Sequence, residues 1–236
     1  MSAAPIRAQG RYLFKAEFQD AIRLRLGIEP ANMKTKCVCK KDNSVSHSKN
    51  CHFGGYINMR HDKIRDFLQD KTSQIYHDVE KEYTLKPVED QVLQPGANIA
   101  IGARTDLRIM GFTRDFVNTH FDVKIINAQA EAHAKANPKQ AMIKAEEGKE
   151  RAYKEMIEKV EGAEFVPMIF SSRGAKSRKT SRVISKILTK LAAKRSHEKA
   201  AVAKALATEL SFIFLRMELA CIRGNRKTRT QNNSGE

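Results

Sequence analysis

Apolar residues recur four residues apart near the start of the chain, which is the spacing of one helical face. The residues with this spacing are Phe14, Phe18, Ile22 and Leu26. Gly27 follows where a helix would end. The pattern predicts a structural helix over Arg11 to Leu26 with these four residues as its apolar stripe.

Helical and extended patterns alternate in the middle of the chain. Ile57 to Ile75 has a one-sided apolar pattern that predicts a second helix, and Val79 to Val88 reads as a strand. Polar and apolar residues alternate over Thr105 to Phe112, and His120 to Ile126 is β-branched and aromatic. The connection between these two strands is short and polar, so we expect a hairpin.

A charged helix is expected after this hairpin. Asn137 and Pro138 suit its start and Gly162 suits its end. Lys149 interrupts the apolar stripe of this helix at a position where an apolar residue would be expected.

Two apolar segments follow the charged helix. Glu164 to Ser171 predicts a buried strand, with Pro167 near a sheet edge, and Ala200 to Ile222 predicts a buried closing helix. Residues 1–9 and the basic stretch from Arg223 to Glu236 are expected to be disordered.

The charge balance points to a polyanionic partner. The 236 residues carry a formal net charge of +16, with a pI of about 9.8. Nucleic acid is the first candidate, ahead of an anionic membrane surface. No charge-free apolar run of membrane-spanning length and no signal-peptide pattern occurs. We therefore expect an intracellular protein, nuclear or otherwise associated with nucleic acid, that has no membrane partner.

Three of the four cysteines lie in one short segment together with a histidine. The four residues are Cys37, Cys39, His47 and Cys51. Three thiolates and an imidazole suit tetrahedral Zn²⁺, which would supply folding energy that so small a loop lacks. His52 is an alternative nitrogen ligand, and a polar loop with free cysteines is the alternative interpretation.

Two carboxylates and a lysine lie on the strands of the predicted hairpin. Asp106 is near the start of the first strand, and Asp122 and Lys124 share a face of the second because residues two apart on a strand point the same way. Converging carboxylates can hold Mg²⁺, and a nearby lysine can orient the attacking water. A surface ion pair explains the Asp-x-Lys spacing about as well.

Four other residues are candidates for the same site. His61 lies at the edge of a helical apolar stripe, either as a hydrogen-bonded boundary residue or as a phosphate contact. Glu82 is a third metal ligand or part of a solvated strand face. Lys149 and Tyr153, one turn apart, point towards the carboxylates, or the lysine extends past the apolar surface to water.

Basic residues recur every fourth position in a stretch that has no acidic residue between Glu164 and Glu198. The residues of this basic row are Arg178, Arg182, Lys186, Lys190 and Lys194. Like charges at this spacing repel one another on a helix, and a bound phosphate backbone would relieve the repulsion. The row therefore predicts a nucleic-acid contact, with a solvated basic face as the alternative.

Taken together, these segments resemble the carboxy-terminal part of reverse transcriptases from non-LTR retrotransposons that use a restriction-enzyme-like endonuclease. The landmarks of the resemblance span nearly the whole chain and are FQDAIRLRLGI, SVSHSKNC followed by GG, RHDKIRD, GARTDLRI, FDVKIIN, KERAYKE, FVPMIFSSRG and SFIFLRMELACIRG. The resemblance implies an α/β fold with a PD-(D/E)XK core, a mixed sheet flanked by helices. It also implies a zinc-knuckle-like segment before the core, and nicking of DNA to prime reverse transcription.

The resemblance also assigns roles by position. It implies that Asp106 and Asp122 bind Mg²⁺ or Mn²⁺, that Lys124 positions the nucleophile, and that Lys149 and Tyr153 belong to a helix motif associated with cleavage. Two features depart from the family. Asn is common where this chain has Asp62, and the chain contains no polymerase, which suits either an excised domain or a free-standing relative used in homing, junction resolution or host defence.

The predicted organisation has five segments. They are an N-terminal arm and helix (1–34), the zinc segment (35–56), the nuclease core (57–172), the C-terminal helices (173–223) and a disordered basic tail (224–236). We expect a metal-dependent DNA endonuclease, with a reverse transcriptase domain, an RNA template or a second copy of the chain as candidate partners. The alternative is a catalytically silent DNA- or RNA-binding module that keeps the nuclease fold.

Overall fold

The computed structural model describes residues 12–89, 92–127, 137–196 and 198–224. The described helices are α1 (Lys15–Arg25), α2 (Val45–Asn50), α3 (Tyr56–Ser73), α4 (Pro138–Met156), α5 (Arg178–Arg195) and α6 (Lys199–Gly224). The described strands are β1 (Val79–Thr84), β2 (Arg104–Met110), β3 (Asn118–Ile126) and β4 (Glu164–Ser171). The predicted disordered start, residues 1–9, and all of the predicted tail after Gly224 lie outside the described residues.

Contacts divide the chain into two compact units. One combines Met1–Arg60 with Phe212–Glu236, and the other is His61–Ser211. The boundaries fall within helices α3 and α6.

The larger unit contains a mixed four-stranded sheet in the order β1-β2-β3-β4. The predicted hairpin is confirmed, since β2 and β3 are antiparallel, with Leu107 opposite Phe121 and Met110 opposite Asn118. Strand β4 runs parallel to β3. It lies at the sheet edge, where the missing N–H of Pro167 is tolerated.

Helices cover both faces of this sheet. Leu68 of α3 and Ile187 of α5 line the same apolar cavity as Leu107, Phe121 and Met168 of the sheet. On the other face, α4 packs its small and apolar side chains against β3 and β4. This second cluster consists of Ile126, Ala141, Met142, Ala145 and Ile169.

The predicted ends of the charged helix are confirmed. Asn137 caps α4 by accepting a hydrogen bond from the backbone N–H of Lys139 at 3.0 Å, and Pro138 occupies the first turn. A single π-helical turn, Ile157–Glu161, prolongs the helix. Gly162 ends it with a φ of 63°, a left-handed conformation that glycine adopts without a Cβ clash.

The stripe predicted for α1 is not the side of the helix that packs. Phe18 is 57% exposed and Leu26 is 67% exposed. Leu24, on the other side, is buried against Leu219 and Ile222 of α6. The helix itself is confirmed, but it carries a second row of apolar residues, and this row forms the core contact.

The cysteine-rich segment contains helix α2 where a loop was expected. Ser44 caps this helix by accepting a hydrogen bond from the backbone N–H of His47 at 3.0 Å. Lys49 of α2 forms a buried ion pair with Glu218 of α6, their side chains being 3% and 8% exposed. Arg60 donates a hydrogen bond to the backbone carbonyl of Lys49 at 3.4 Å. Val45 of α2 also packs against the cluster of Leu219 and Ile222, so the segment is attached to α6 by charged and by apolar contacts.

Candidate active site and metal centre

Asp106 lies where β2 and β3 separate. Backbone pairing between the strands ends at Leu107 and Phe121. Just beyond it, Oδ2 of Asp106 accepts a hydrogen bond from the backbone N–H of Val123 at 2.6 Å. The carboxylate replaces the missing backbone acceptor, so its position is fixed between the two strands.

His61 of α3 reaches the same point. Its Nε2 atom lies 3.2 Å from Oδ2 of Asp106 and 3.1 Å from the carbonyl oxygen of Val123. Both oxygens accept hydrogen bonds, so Nε2 is the donor. On the other side of the ring, Nδ1 is 3.4 Å from Oδ1 of Asp62. The hydrogen bond to Asp106 raises the pKa of His61 above its ordinary value, although burial opposes this.

Asp122 is buried on β3 and pairs with Lys149 of α4. The Nζ atom of Lys149 is 2.6 Å from Oδ2 of Asp122. Burial raises the pKa of Asp122, and Lys149 opposes this effect. Burial acts to lower the pKa of Lys149, but the charge and the hydrogen bond of Asp122, together with the charges of Tyr153 and Asp106, outweigh it and the pKa is raised. The Tyr153 ring lies 5.3 Å from the same ammonium group, so the structure brings this lysine and tyrosine to Asp122.

Asp106 and Asp122 offer oxygen atoms of the kind that a hard cation takes as ligands. Neither Oδ1 of Asp106 nor Oδ1 of Asp122 has a hydrogen-bond partner within the described parts of the chain. Carboxylate oxygens are the ligands that Mg²⁺ and Mn²⁺ prefer. Lys124, two residues along β3, is exposed and forms no ion pair with another described residue.

Glu82 of β1 is paired with basic side chains. It forms ion pairs with Arg65 and with Arg104, the latter at 3.8 Å. Its φ is 55°, an uncommon conformation for a residue with a side chain in the middle of a strand. The structure therefore places this candidate third ligand against two guanidinium groups.

Four ligand atoms from the cysteine-rich segment lie within 4.8 Å of one another, and the residues are Cys37, Cys39, His47 and Cys51. The sulfurs of Cys37 and Cys51 are 3.7 Å apart. Tetrahedral zinc with Zn–S bonds of about 2.3 Å requires a sulfur separation of about 3.8 Å. This Cys₃His group could hold a metal ion, and its geometry is consistent with zinc.

The thiols of this group differ in acidity. Burial raises the pKa of Cys51 to about 11. A backbone hydrogen bond involving Lys41 lowers the pKa of Cys39. A bound cation would favour the thiolate form of each ligand. His52, the alternative nitrogen ligand, is exposed and lies outside the group.

The basic row on α5 winds around the helix. Four residues advance a helix by about 400°, so each step turns the row by about 40°. Arg178 and Arg182 are exposed, whereas Nζ of Lys186 lies 5.1 Å from the centre of the Phe112 ring. Lys190 and Lys194 are also exposed, and the Lys190 ammonium group is 4.5 Å from the centre of the Tyr76 ring. None of the five forms an ion pair within the described residues.

Sequence reasoning gave no role to Phe116 in the β2–β3 connection. The structure shows it 93% exposed, with a φ of 60°. The signal that could have identified it is present in the sequence, because an aromatic residue in a short turn between two strands is a candidate for an exposed contact.

No protein-family model matches this chain, and no curated protein sequence matches it either. Among the described helices, none combines the length and apolar character that a membrane span requires.

Proposed function

We propose that this chain is a metal-dependent DNA endonuclease of the PD-(D/E)XK type, which nicks or cuts target DNA for a mobile or homing element. One observation supports this most directly. Asp106, Asp122, Lys149 and His61 come from β2, β3, α4 and α3, and they converge where the hairpin strands separate. The charges of Asp106, Lys149 and His61 all act on the carboxyl group of Asp122.

The residues divide the work of hydrolysis as follows. Mg²⁺ or Mn²⁺, when bound, would polarise a phosphate oxygen and lower the pKa of a bound water. Asp106 and Asp122 would hold it through their oxygens. Lys124, exposed beside Asp122, would orient the water for in-line attack on the phosphodiester. Lys149 and Tyr153 would contact the scissile phosphate from α4.

Two other regions serve binding in this proposal. The basic row on α5 contacts the DNA backbone, chiefly through its four exposed members, Arg178, Arg182, Lys190 and Lys194. The Cys₃His group binds Zn²⁺ and helps to place the DNA. In a retrotransposon, an attached reverse transcriptase and its RNA template would then use the nicked 3′ end.

A plasmid-cleavage assay tests the proposal. Supercoiled DNA is incubated with the purified chain in Mg²⁺, in Mn²⁺ or without either, and Asp106→Ala and Asp122→Asn are compared with the wild type. We expect metal-dependent nicking that both substitutions reduce by about a hundredfold or more, because Asp106→Ala removes a carboxylate ligand of the cation and Asp122→Asn removes the negative charge of the other. Asp70→Asn is the matched control, since Asp70 is an exposed α3 carboxylate that pairs with Lys71. Nicking that persists in Asp106→Ala would contradict the assignment.

A catalytically silent DNA- or RNA-binding module is the second candidate. The observation that favours it is that both carboxylates already have partners within the protein. Asp106 contacts Val123 and His61, and Asp122 contacts Lys149. Salt-sensitive DNA binding, combined with no scission of any plasmid or branched DNA by the wild type, would select this candidate.

A further inference from the structure

The tip of the β2–β3 hairpin presents one aromatic ring outwards and one inwards. Phe112 is buried and packs against Tyr76 and Phe121, with ring centres 5.5 and 4.9 Å away. Phe116, four residues later, is 93% exposed. The tip is therefore anchored by one ring and offers the other to solvent.

The exposed ring is held in an unfavourable backbone conformation. Phe116 has a φ of 60°, which glycine adopts readily and a residue with a bulky side chain rarely does. No packing interaction explains the choice of phenylalanine, since almost the whole side chain is in solvent. Backbone strain that no packing within the protein offsets is typical of a position that contacts another molecule.

The turn around this ring is well ordered by hydrogen bonds. The backbone N–H of Gly111 donates to the carbonyl of Val117 at 3.0 Å, and the hydroxyl groups of Thr113 and Thr119 are 2.6 Å apart. These hydrogen bonds hold the backbone of the turn, so the turn itself loses little conformational entropy when the Phe116 ring stacks on a ligand.

Positive charge lies at the base of the same tip. Lys186 of the basic row stands over Phe112 at 5.1 Å, and Arg114 of the tip pairs with Glu164 of β4. Lys186 also acts on the carboxyl group of Glu164. At the tip itself, Arg114 is already paired with Glu164 and Asp115 adds a negative charge. The contact offered there is therefore the ring, and the phosphate contact comes from α5.

We propose that Phe116 stacks on an unpaired or unstacked base of the DNA whose backbone contacts the basic row. The tip that carries Phe116 is in contact with the cationic row through Phe112 and Lys186. Proteins combine an exposed aromatic ring with cationic side chains to bind exposed bases, because every base has a π face and a nearby phosphate. This inference rests on the proposed DNA binding and adds a DNA structure that the chain prefers, a duplex with an unpaired base over a fully paired one.

Fluorescence anisotropy with two labelled duplexes tests the inference, one fully paired and one with a single bulged adenine replaced by 2-aminopurine. Phe116→Ala should weaken binding to the bulged duplex by about fivefold to a hundredfold and leave binding to the paired duplex within about twofold. Phe116→Trp should retain the preference, and Phe116→Leu, which keeps apolar area without a π face, should lose it. The wild type should quench the 2-aminopurine fluorescence more than Phe116→Leu does.

Two controls separate the possible failures. Ile101→Ala removes a side chain that is 96% exposed in another loop, and it should leave both affinities unchanged. Phe116→Gly should raise Tm while it lowers affinity for the bulged duplex, because glycine tolerates a φ of 60°.

If the wild type binds both duplexes and Phe116→Ala binds them equally well, the stacking role is wrong and the DNA-binding function stands. If the wild type binds neither duplex at low salt, the proposed function fails and the stacking role fails with it.

Discussion

At the scale of single residues, the contact between Lys149 and Asp122 has the largest energetic consequence in the candidate site. The carboxylate side chain is 8% exposed and the lysine side chain 24% exposed. Lys149→Met would leave a buried charge without its partner, which costs about 2 kcal/mol of unfolding free energy for a pair buried to this degree. Asp122→Asn should remove most of that penalty, so the double variant should be more stable than additivity predicts. Urea unfolding of the four proteins, without added Mg²⁺, gives a coupling energy that we expect at about 1–3 kcal/mol.

Lys144→Met is the matched control for this cycle. Lys144 lies on α4 as well, but its side chain is exposed and forms no ion pair with another described residue. The substitution should change stability by less than about 0.5 kcal/mol. Strictly additive effects of Lys149→Met and Asp122→Asn would show that the two groups do not stabilise one another.

Part of this site follows from spacing alone. Helical periodicity places Lys149 on the packing side of α4, and strand alternation with a hairpin brings Asp106 near Asp122. The roles of the other residues depend on where the strands separate. Asp106 binds the N–H of Val123, and His61 reaches both of them, only because backbone pairing stops at Leu107 and Phe121. No pattern in the sequence specifies that point.

At the scale of elements, α1 shows that a sequence pattern can predict a helix correctly and still not identify the side of the helix that packs. Leu24 is 7% exposed against Leu219 and Ile222, whereas Phe18 is 57% exposed. Leu24→Ala should therefore lower the free energy of unfolding by about 2–4 kcal/mol, the usual cost of a core cavity. Phe18→Ala removes a larger side chain but should cost less than about 0.5 kcal/mol. Thermal and urea denaturation compare the two, and equal losses would mean that both sides of α1 are covered.

Local signals predicted element ends better than they predicted packing. The ends of the α4 region are predictable because local chemistry specifies them. Asn137 caps the helix with its own side chain, the ring of Pro138 fixes φ, and Gly162 has no Cβ to oppose a positive φ. The packing side of α1 depends instead on α6, more than a hundred residues away in the sequence. When a helix carries two apolar rows, its own sequence does not show which row packs, and the position of the partner helix decides this.

At the scale of the whole molecule, the smaller unit joins segments that are distant in the sequence. One of its charged links is the ion pair between Lys49 of α2 and Glu218 of α6, which is nearly excluded from solvent. A buried pair of this kind needs both partners in place, since either charge alone would be costly to bury. Helix α2 has only six residues, too few for independent stability in water. Its folding therefore depends on its contacts with α6, and we expect a metal ion held by the Cys₃His group to contribute as well.

This dependence predicts what metal removal would do. The purified chain should contain one equivalent of zinc by mass spectrometry, Cys51→Ser should lose it, and Cys221→Ala should keep it because Cys221 lies outside the group. A zinc-selective chelator should abolish the hydrogen-exchange protection of the amides in α2, because bound metal is folding energy for a segment without a core of its own. The amides of β2 and β3 should stay protected, since they belong to the larger unit and bond within its sheet. Unchanged protection of α2 in zinc-free protein would show that α6 alone holds the segment, and the Cys₃His group would then have no structural role.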